Sequence, residues 1–131
     1  MTIIDSYLGN HASALTLRNQ RLELISQNIA NATTPNYRAR DIDFAKAMSD
    51  AIQGAPVRVT DDGHQAQANG SGVTAIGSLV YRTPLNPSLD NNTVEMGVEQ
   101  AAFGKAAAEY QASLQFLESR ISGLRKAFRG D

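Results

Sequence analysis

The strongest constraint on the fold is a regular apolar pattern near the C-terminus. Eight apolar or aromatic residues, here called the C-terminal seam, follow one another at alternating steps of four and three. They are Phe103, Ala107, Tyr110, Leu114, Leu117, Ile121, Leu124 and Phe128. Because such spacing keeps successive side chains on one helix face, the pattern predicts a long helix of the coiled-coil type. Asn92 and Glu95 resemble a capping box and predict that the helix begins there.

A second long helix is predicted near the N-terminus, over about residues 5–33. Its apolar residues recur mostly every three or four positions, at Leu8, Ala12, Leu15, Leu22, Ile25 and Ile29. Pro35 should end this helix because proline disfavours helical backbone at the preceding residue and has no N–H to donate. Asn36 then supplies a residue that tolerates a left-handed turn. Leu17 and Leu24 lie off the main apolar face and predict a second neighbour.

The segment between the two long helices has weaker patterns. Asp41 or Asp43 can cap a short helix over residues 44–52, which Gly54 ends together with a nearby proline. From residue 55 to residue 92, glycines and prolines separate short β-prone pieces at residues 57–60 and 78–81. The polar stretch over residues 64–72 is predicted to be the most mobile part of the chain.

These elements predict a mainly α fold, in which long N- and C-terminal helices pair as a coiled-coil assembly domain. The predicted divisions are an N-terminal assembly helix over residues 1–33, a turn and short helix over 34–54, a flexible loop with a potential β-hairpin over 55–92, and a C-terminal assembly helix over 93–131. Two long helices with little else to pack on give long seams and a small interior. This shape favours completion of folding by neighbouring subunits, in a polymer or a large complex.

Composition argues against several functional classes. Twelve Lys and Arg residues balance thirteen Asp and Glu residues, and no basic stretch alternates with aromatics, so binding to nucleic acid is disfavoured. Cysteine is absent, which removes disulfides, thiolate metal sites and thiol nucleophiles. His11 and His64 are far apart in sequence and predict no metal site. No nucleophile with a base, paired carboxylates or phosphate-binding loop emerges, so we expect neither an enzyme nor a cofactor.

The N-terminal residues also lack the marks of a secretory signal. Residues 1–5 contain no basic region and no continuous apolar region, and no apolar run in the chain approaches the length of a bilayer span. The sequence therefore predicts neither a cleaved signal peptide nor direct insertion into a membrane.

Three sequence blocks resemble a known family. Residues 26–37 read Ser-Gln-Asn-Ile-Ala-Asn-Ala-Thr-Thr-Pro-Asn-Tyr, which closely resembles the N-terminal signature of flagellar axial proteins, the rod and hook group. Residues 38–44, with residues 81–84 and 87–96, resemble the proximal-rod branch of that group in particular. Asn36 stands where the family usually has glycine, and residues 55–80 carry no resemblance.

The resemblance implies a structural subunit of the bacterial flagellar basal-body rod. Such a subunit polymerises around the export channel, transmits torque and is needed for motility. It implies passage through the flagellar type III export apparatus without a cleaved signal, followed by assembly in the periplasm. The implied partners are other copies of the chain, neighbouring rod proteins of the FlgC type, an adaptor of the FliE type and export-gate proteins. The competing interpretation is a free-standing coiled-coil adaptor or an export-associated chaperone.

Two groups of residues are candidates for subunit contacts. Asn28, Asn31, Pro35 and Tyr37 are expected to fix the loop that leaves the N-terminal helix, with amides satisfying its last carbonyls, and to present that loop to a neighbouring subunit. In the C-terminal seam the candidates are Phe103, Tyr110, Leu114, Leu117, Ile121, Leu124 and Phe128. The seam can pack against the N-terminal helix or against other subunits, and the sequence does not decide between these two interpretations.

The charged residues after the signature also have two readings. Arg38, Arg40, Asp41 and Asp43 can form ion pairs between subunits or a simple solvated face.

Overall fold

The computed structural model describes residues 3–53 and 79–130. Along the chain it contains helix α1 (Ile3–Ala30), strand β1 (Arg40–Ile42), helix α2 (Phe44–Gln53), strand β2 (Leu79–Tyr81) and helix α3 (Met96–Arg129). The β-prone piece predicted at residues 57–60, the helix stop predicted at residue 54 and the mobile stretch predicted at residues 64–72 lie outside the described residues.

The two long helices pack side by side in opposite directions. Residues later in α1 contact residues earlier in α3: His11 lies against Phe116, Arg18 against Glu109 and Asn28 against Glu99. An antiparallel pairing of this kind confirms the predicted association of the N- and C-terminal helices.

Helix α1 ends in the way that the sequence predicts. Its last regular residue is Ala30, and turn hydrogen bonds continue through Thr34, whose N–H donates to the carbonyl of Asn31 at 3.1 Å. Asn36 then adopts a φ of 61°. This left-handed backbone is one that asparagine tolerates better than most residues, so the chain can turn here without glycine.

Helix α3 begins later than predicted. Its N-cap is Glu95, whose side chain makes no capping hydrogen bond, so the prediction that Asn92 caps this helix was wrong. The side chain of Asn92 instead contacts backbone carbonyls of the loop that follows α1. At the other end, Gly130 has a φ of 76° and its N–H donates to the carbonyl of Lys126, a left-handed ending typical of helices.

Helix α2 and the two strands cover the second face of α1. Asp43, rather than Asp41, caps α2 by accepting a hydrogen bond from the N–H of Lys46 at 3.1 Å. Strands β1 and β2 pair antiparallel, with Asp41 opposite Val80. Strand β2 thus lies in the segment where β structure was expected, and its partner comes from the segment that follows α1.

The small core explains the two leucines that lie off the main face of α1. Leu17 is fully buried, together with Ile42 and Ala47, and Leu24 packs against the same cluster. The remaining members of this cluster are Phe44, Met48 and Leu79. The second neighbour of Leu17 and Leu24 is therefore this chain's own α2 and strand pair, not an adjacent subunit.

Candidate functional site

Asn28 is the centre of a buried polar contact between α1 and α3. Its Nδ2 donates hydrogen bonds to the carbonyl of Arg40 at 2.7 Å and to Oε2 of Glu99 at 3.1 Å. Its Oδ1 accepts from the N–H of Arg40 at 3.0 Å and from the hydroxyl of Tyr37 at 3.4 Å. Asn28 and Glu99 are both almost completely buried. One amide thus ties α1, the segment after it and α3 together, and its polar atoms are satisfied as burial requires.

Two arginines and two carboxylates extend this contact into a charged network. Arg82 bridges the carboxylates: its Nη2 lies 2.7 Å from Oδ2 of Asp41, and its Nη1 lies 3.0 Å from Oε1 of Glu99. Arg21 approaches Asp41 from the other side, with Nε 3.0 Å from Oδ1 and Nη2 3.3 Å from Oδ2. Each of the two carboxylates thus faces a guanidinium, so the charges that the fold removes wholly or partly from water are paired.

The network keeps Asp41 ionised. Burial alone acts to raise the pKa of Asp41, but hydrogen bonds from Arg21, the backbone N–H of Ile42 and Arg82, together with the charge of Arg21, outweigh it and lower the pKa. The hydrogen bond to Asp41 raises the pKa of Arg21 in turn. A carboxylate held in this state is a structural anion and is unsuited to act as a general acid at neutral pH.

A third acidic residue, Glu109, joins α1 and α3 at a second place along the helix pair. Glu109 Oε2 accepts a hydrogen bond from Nη1 of Arg18 at 2.8 Å and lies 3.6 Å from Nη1 of Arg21. The guanidinium of Arg18 also lies over the ring of Phe44, 4.6 Å from its centroid. These contacts fix the register of α1 on α3 and join α2 to the same face.

The loop that leaves α1, residues 31–37, is called the signature loop here and is bound by Asn92. The Nδ2 of Asn92 lies within hydrogen-bonding distance of three carbonyl oxygens, which belong to Asn31 at 3.0 Å, Ala32 at 3.0 Å and Thr34 at 2.8 Å. Its Oδ1 accepts from the N–H of Val94 at 2.8 Å. Because an amide has only two hydrogens, the three contacts share them. Asn92 therefore binds the backbone of the signature loop just beyond the end of α1.

Backbone contacts reinforce this binding on both sides of Asn92. The N–H of Asn36 donates to the carbonyl of Asp90 at 2.8 Å, and the N–H of Thr93 donates to the carbonyl of Tyr37 at 3.0 Å. The hydroxyl of Thr93 accepts from the N–H of Ala39 at 2.7 Å. The signature loop is thus held on the segment that leads into α3, within the same chain.

The structure brings together three of the four signature residues proposed from sequence. Asn31 behaves as expected, since its Nδ2 donates to the carbonyl of Gln27 in the last turn of α1 at 2.8 Å. Asn28 and Tyr37 contact each other, but neither side chain donates to the last carbonyls of α1. Pro35 is exposed. The suggestion that the loop is presented to a neighbouring subunit stays a prediction.

The charged residues after the signature were expected to form ion pairs between subunits or a solvated face, and neither interpretation fits all four of them. Asp41 is bound within the chain by two arginines, so it is neither a solvated charge nor free for a neighbouring subunit. The Nη2 of Arg40 donates to Oε1 of Gln27 at 3.0 Å, and Arg38 lies over the ring of Tyr81, 4.2 Å from its centroid. Asp43 is the α2 cap. Each of the four residues thus has a partner in its own chain.

The C-terminal seam is only partly covered by α1. Its half-buried members are Ala107, Tyr110, Leu114, Leu117 and Leu124. Its exposed members are Phe103, Ile121 and Phe128, of which Phe128 is 82% exposed. The most buried apolar residue of α3 is Ala106, which lies outside the seam. Helix α3 therefore contacts α1 with a face rotated away from the seam, and part of the seam is left for other contacts.

Sequence reasoning did not single out Arg21, Arg82, Asn92 or Glu99 for these roles. The sequence contained one signal for them: Arg82 and Asn92 lie within the blocks at residues 81–84 and 87–96 that carry the family resemblance. Arg21 and Glu99 lie outside every such block, and only the tertiary structure brings them to Asp41 and Asn28.

Nothing in the described part of the chain resembles a metal or membrane site. Within residues 3–53 and 79–130, no three His, Cys, Asp or Glu side chains are placed to share a metal ion. None of the described helices combines the length and apolarity of a bilayer span. His11 instead packs between the rings of Tyr7 and Phe116, with centroids at 4.6 and 5.0 Å. His64 is outside the described residues.

Comparison with known proteins gives a consistent result. Residues 8–38 match the model of a family described as "Flagella basal body rod protein". The chain is 48% identical over 131 residues to the flagellar basal body rod protein FlgB of Cereibacter sphaeroides, an alignment that covers 100% of both chains. It is 43% identical to the protein of the same name from Aeromonas hydrophila and 37% identical to that from Salmonella typhimurium, each alignment covering 97% of this chain and 96% of the relative.

Proposed function

The chain belongs to the FlgB family of flagellar basal body rod proteins, and from this membership we propose how it is built into the rod. It is a structural subunit of the basal body rod, and its role in motility follows from that place in the flagellum. We propose that it polymerises around the export channel through the exposed parts of its helix pair and transmits torque along the pair. The proposed partners are other copies of the chain, FlgC-like rod proteins, a FliE-like adaptor and export-gate proteins.

The observation that carries this proposal is the uncovered part of the apolar surface. Phe103, Ile121 and Phe128 belong to the C-terminal seam, yet each is at least 40% exposed, and Ile3 at the start of α1 is 90% exposed. Exposed large apolar residues along one helix seam support the proposal that another molecule covers this seam. The seam residues Phe103, Tyr110, Leu114, Leu117, Ile121, Leu124 and Phe128 remain our candidates for subunit contacts.

The polar network supports the torque-bearing part of the proposal. Helices α1 and α3 contain 28 and 34 residues, and three polar contacts are spaced along them, made by Arg18, Arg21 and Asn28. A helix pair joined at several depths by hydrogen bonds and ion pairs resists sliding of one helix along the other. We infer that this rigidity lets the subunit pass on a twisting load without unfolding.

We propose different roles for the four signature residues. Asn28, Asn31 and Tyr37 act within the subunit, because their side chains are bound by its own atoms and set the position of the signature loop. Pro35 is the member left at the surface and is proposed to touch a neighbouring subunit. The relatives are structural rod proteins, and we infer that this chain likewise acts without catalysis. Its route to the periplasm is proposed to be the flagellar type III apparatus, without a cleaved signal.

Deletion of the gene in its own bacterium tests the function, with swimming assays and electron microscopy of isolated basal bodies as readouts. The proposal predicts loss of swimming and of the rod, with the membrane-embedded base retained, and rescue of both by the wild-type gene. Intact rotating flagella in the deletion strain would favour the coiled-coil adaptor or export chaperone. An adaptor should also be a folded, small oligomer of fixed size when purified, whereas a rod subunit should be largely unfolded or monomeric until its partners are present.

A further inference from the structure

An apolar groove opens between the first turns of α1 and the last third of α3. This terminal groove has a volume of about 370 Å³, and its lining residues are mostly apolar, including Ile3, Ile4, Tyr7, Gly123 and Leu124. Ile3 is 90% exposed, and Ile4 and Tyr7 are each more than 40% exposed, so the described residues leave much of this apolar surface uncovered. A Cβ built at Gly123 would meet nothing within 4 Å, which leaves room for a side chain of another molecule.

The terminal groove is a different surface from the exposed part of the C-terminal seam. Successive residues of an α-helix are about 100° apart around its axis, so Gly123 lies about 160° from the seam residue Ile121. Ser119, which also lines the groove, lies about 160° from Ile121 as well. A molecule that covers Ile121 therefore leaves the groove open, and the groove can take an occupant of its own.

Arg120 is the charged member of the groove lining. Its guanidinium lies over the ring of Phe116, 4.9 Å from the centroid, and 6.0 Å from the centroid of Tyr7. Among the described residues, none supplies a carboxylate to this guanidinium. The helix dipole does not account for its position either, because Arg120 lies more than two turns before the end of α3 at Arg129 and the dipole acts within the last turn.

A guanidinium held against aromatic rings is well prepared to bind a carboxylate. Because the cation–π contacts restrict the arginine side chain, less conformational entropy is lost when its planar N–H groups bind two carboxylate oxygens. The rings also exclude water from one side of the guanidinium, which strengthens an ion pair relative to a fully solvated one. The chemistry that fits the groove is therefore an aliphatic side chain close to a carboxylate.

The charge of this end of the molecule disfavours a second copy as the occupant. Residues 118–129 contain four basic residues and one acidic residue, and Asp5 is the acidic residue in the first turns of α1. A copy that packs side by side, as the exposed seam supports, brings the same excess of positive charge to the level of Arg120, and such like charges repel. The carboxylate is therefore expected from a different protein.

We propose that the terminal groove binds a segment of a different basal-body protein, which places an aliphatic side chain against Ile3, Tyr7 and Leu124 and a carboxylate on Arg120. The inference rests on the proposed function as a rod subunit. It adds a binding surface that is separate from the seam, and it states the chemistry of the partner that this surface selects.

Site-specific photo-cross-linking in assembled basal bodies tests the contact. A deletion strain is complemented with the chain in which a photoreactive amino acid replaces Ser119, an exposed residue of the groove. The same amino acid at Ala112, exposed in the middle of α3, is the matched control. Illumination is expected to join residue 119 to a different basal-body protein, and mass spectrometry should place the link within about one helical turn of both an aliphatic residue and an Asp or Glu. Position 112 should not give this product.

The outcomes separate this proposal from the proposed function. Linkage of residue 119 only to another copy of this chain, or only within the same chain, refutes the proposal, and so does a linked segment without Asp or Glu. If the wild-type chain is recovered in the rods and supports swimming, but position 119 gives no more product than position 112, the groove contact is refuted and the rod function stands. Absence of the wild-type chain from the rods refutes the function itself.

Charge exchange tests the ion pair at Arg120. Arg120→Glu is expected to lower rod assembly at least about tenfold because it places like charges together. Replacement of the acidic residue in the linked partner segment by Arg should restore assembly, which would also show that the Arg120→Glu chain folds. Lys126→Glu, at an exposed basic residue outside the groove lining, is the control and should assemble without the partner change. Failure of every such partner change to restore assembly would refute the pairing.

Filling the groove gives a second, independent readout. Gly123→Leu has open space in the isolated chain and replaces glycine by a better helix former, so folding should be unimpaired. The added side chain occupies the groove, and rod assembly is expected to be lost. Ala112→Leu, at an exposed position in the middle of α3, is the control and should assemble. Equal assembly by the two variants would contradict an occupied groove.

Discussion

The Nδ2 of Asn28 lies 3.1 Å from Oε2 of Glu99, and this hydrogen bond joins two long helices whose contacting residues are 71 positions apart in the chain. Both side chains are almost fully buried. Since a buried carboxylate needs partners, Asn28 and Arg82 together make it possible for Glu99 to lie between the helices. The signature asparagine is therefore explained first by the stability of the subunit, and its effect on assembly follows from that.

Replacement of Asn28 by alanine should destabilise the isolated chain. Asn28→Ala leaves the N–H of Arg40 and the buried carboxylate of Glu99 with one hydrogen-bond partner fewer each, and we expect a loss of about 2 to 4 kcal/mol in the free energy of unfolding. Denaturant unfolding followed by circular dichroism measures it. Asn19→Ala, at an exposed position of the same helix, is the control and should change stability by less than about 0.5 kcal/mol. Equal effects at the two positions would show that the buried contact contributes nothing.

Replacement of Asn92 should loosen the signature loop. Asn92→Ala removes the donor shared by the carbonyls of Asn31, Ala32 and Thr34, and we expect a cost of about 1 to 3 kcal/mol. Hydrogen exchange should show faster exchange at the N–H groups of residues 36–39, while the middle of α1 stays protected. Asn86→Ala, at an exposed position between β2 and α3, should leave that pattern unchanged. Unaltered exchange in Asn92→Ala would contradict the role given to this amide.

Acid should weaken the charged network through Asp41. The pKa of Asp41 is lower in the folded chain than its ordinary value of 3.8, so its contribution to stability is complete above about pH 5 and is lost as pH falls through the lowered pKa. Asp41→Asn should reduce the free energy of unfolding at pH 7 by about 1 to 3 kcal/mol. The difference in the free energy of unfolding between the wild type and this variant should become smaller below about pH 4.

Unfolding curves for both proteins between pH 7 and pH 3 measure that gap. Asp50→Asn is the control because the Lys46–Asp50 pair is largely exposed, and such pairs contribute little. A gap that stays constant over the whole range would mean that ionised Asp41 does not stabilise the fold.

The exposed part of the C-terminal seam should matter for assembly and not for folding. Ile121 is 42% exposed in the isolated chain, so Ile121→Asp is expected to cost about 1 kcal/mol or less in stability, mostly from helix propensity. In a rod, the same carboxylate would be buried without a partner, and swimming should be lost. Gln115→Asp lowers helix propensity at least as much, at an exposed polar position, and should preserve swimming. A motile Ile121→Asp strain would exclude Ile121 from the interface.

The larger features of the fold could be predicted because they are periodic or local. The spacing of apolar residues predicts both long helices, and their pairing is the simplest way to cover two apolar faces. Pro35, Asn36 and Asp43 act on their immediate neighbours, so their effects on the helix stop, the left-handed turn and the α2 cap can be inferred from position alone.

The polar network could not be inferred in the same way because it depends on distant partners. Asp41 and Arg82 are 41 positions apart, and strand β1 begins with two charged residues that give little sign of pairing with β2. Asn92 was misassigned because a residue shortly before a helix can serve that helix or a neighbouring one, and tertiary structure decides between them. The rotation of α3 that buries Ala106 instead of the whole seam depends on those same contacts.

The decisive experiment is a high-resolution electron-microscopy map of basal bodies from the native bacterium. We expect this chain to form part of the rod wall, with Asn28 contacting Glu99 and Asn92 binding the signature loop inside each subunit, and with the exposed seam residues against neighbouring subunits. A rod that lacks the chain would contradict its function. A rod in which α1 of one copy makes these contacts with α3 of another copy would contradict the subunit structure described above for residues 3–53 and 79–130.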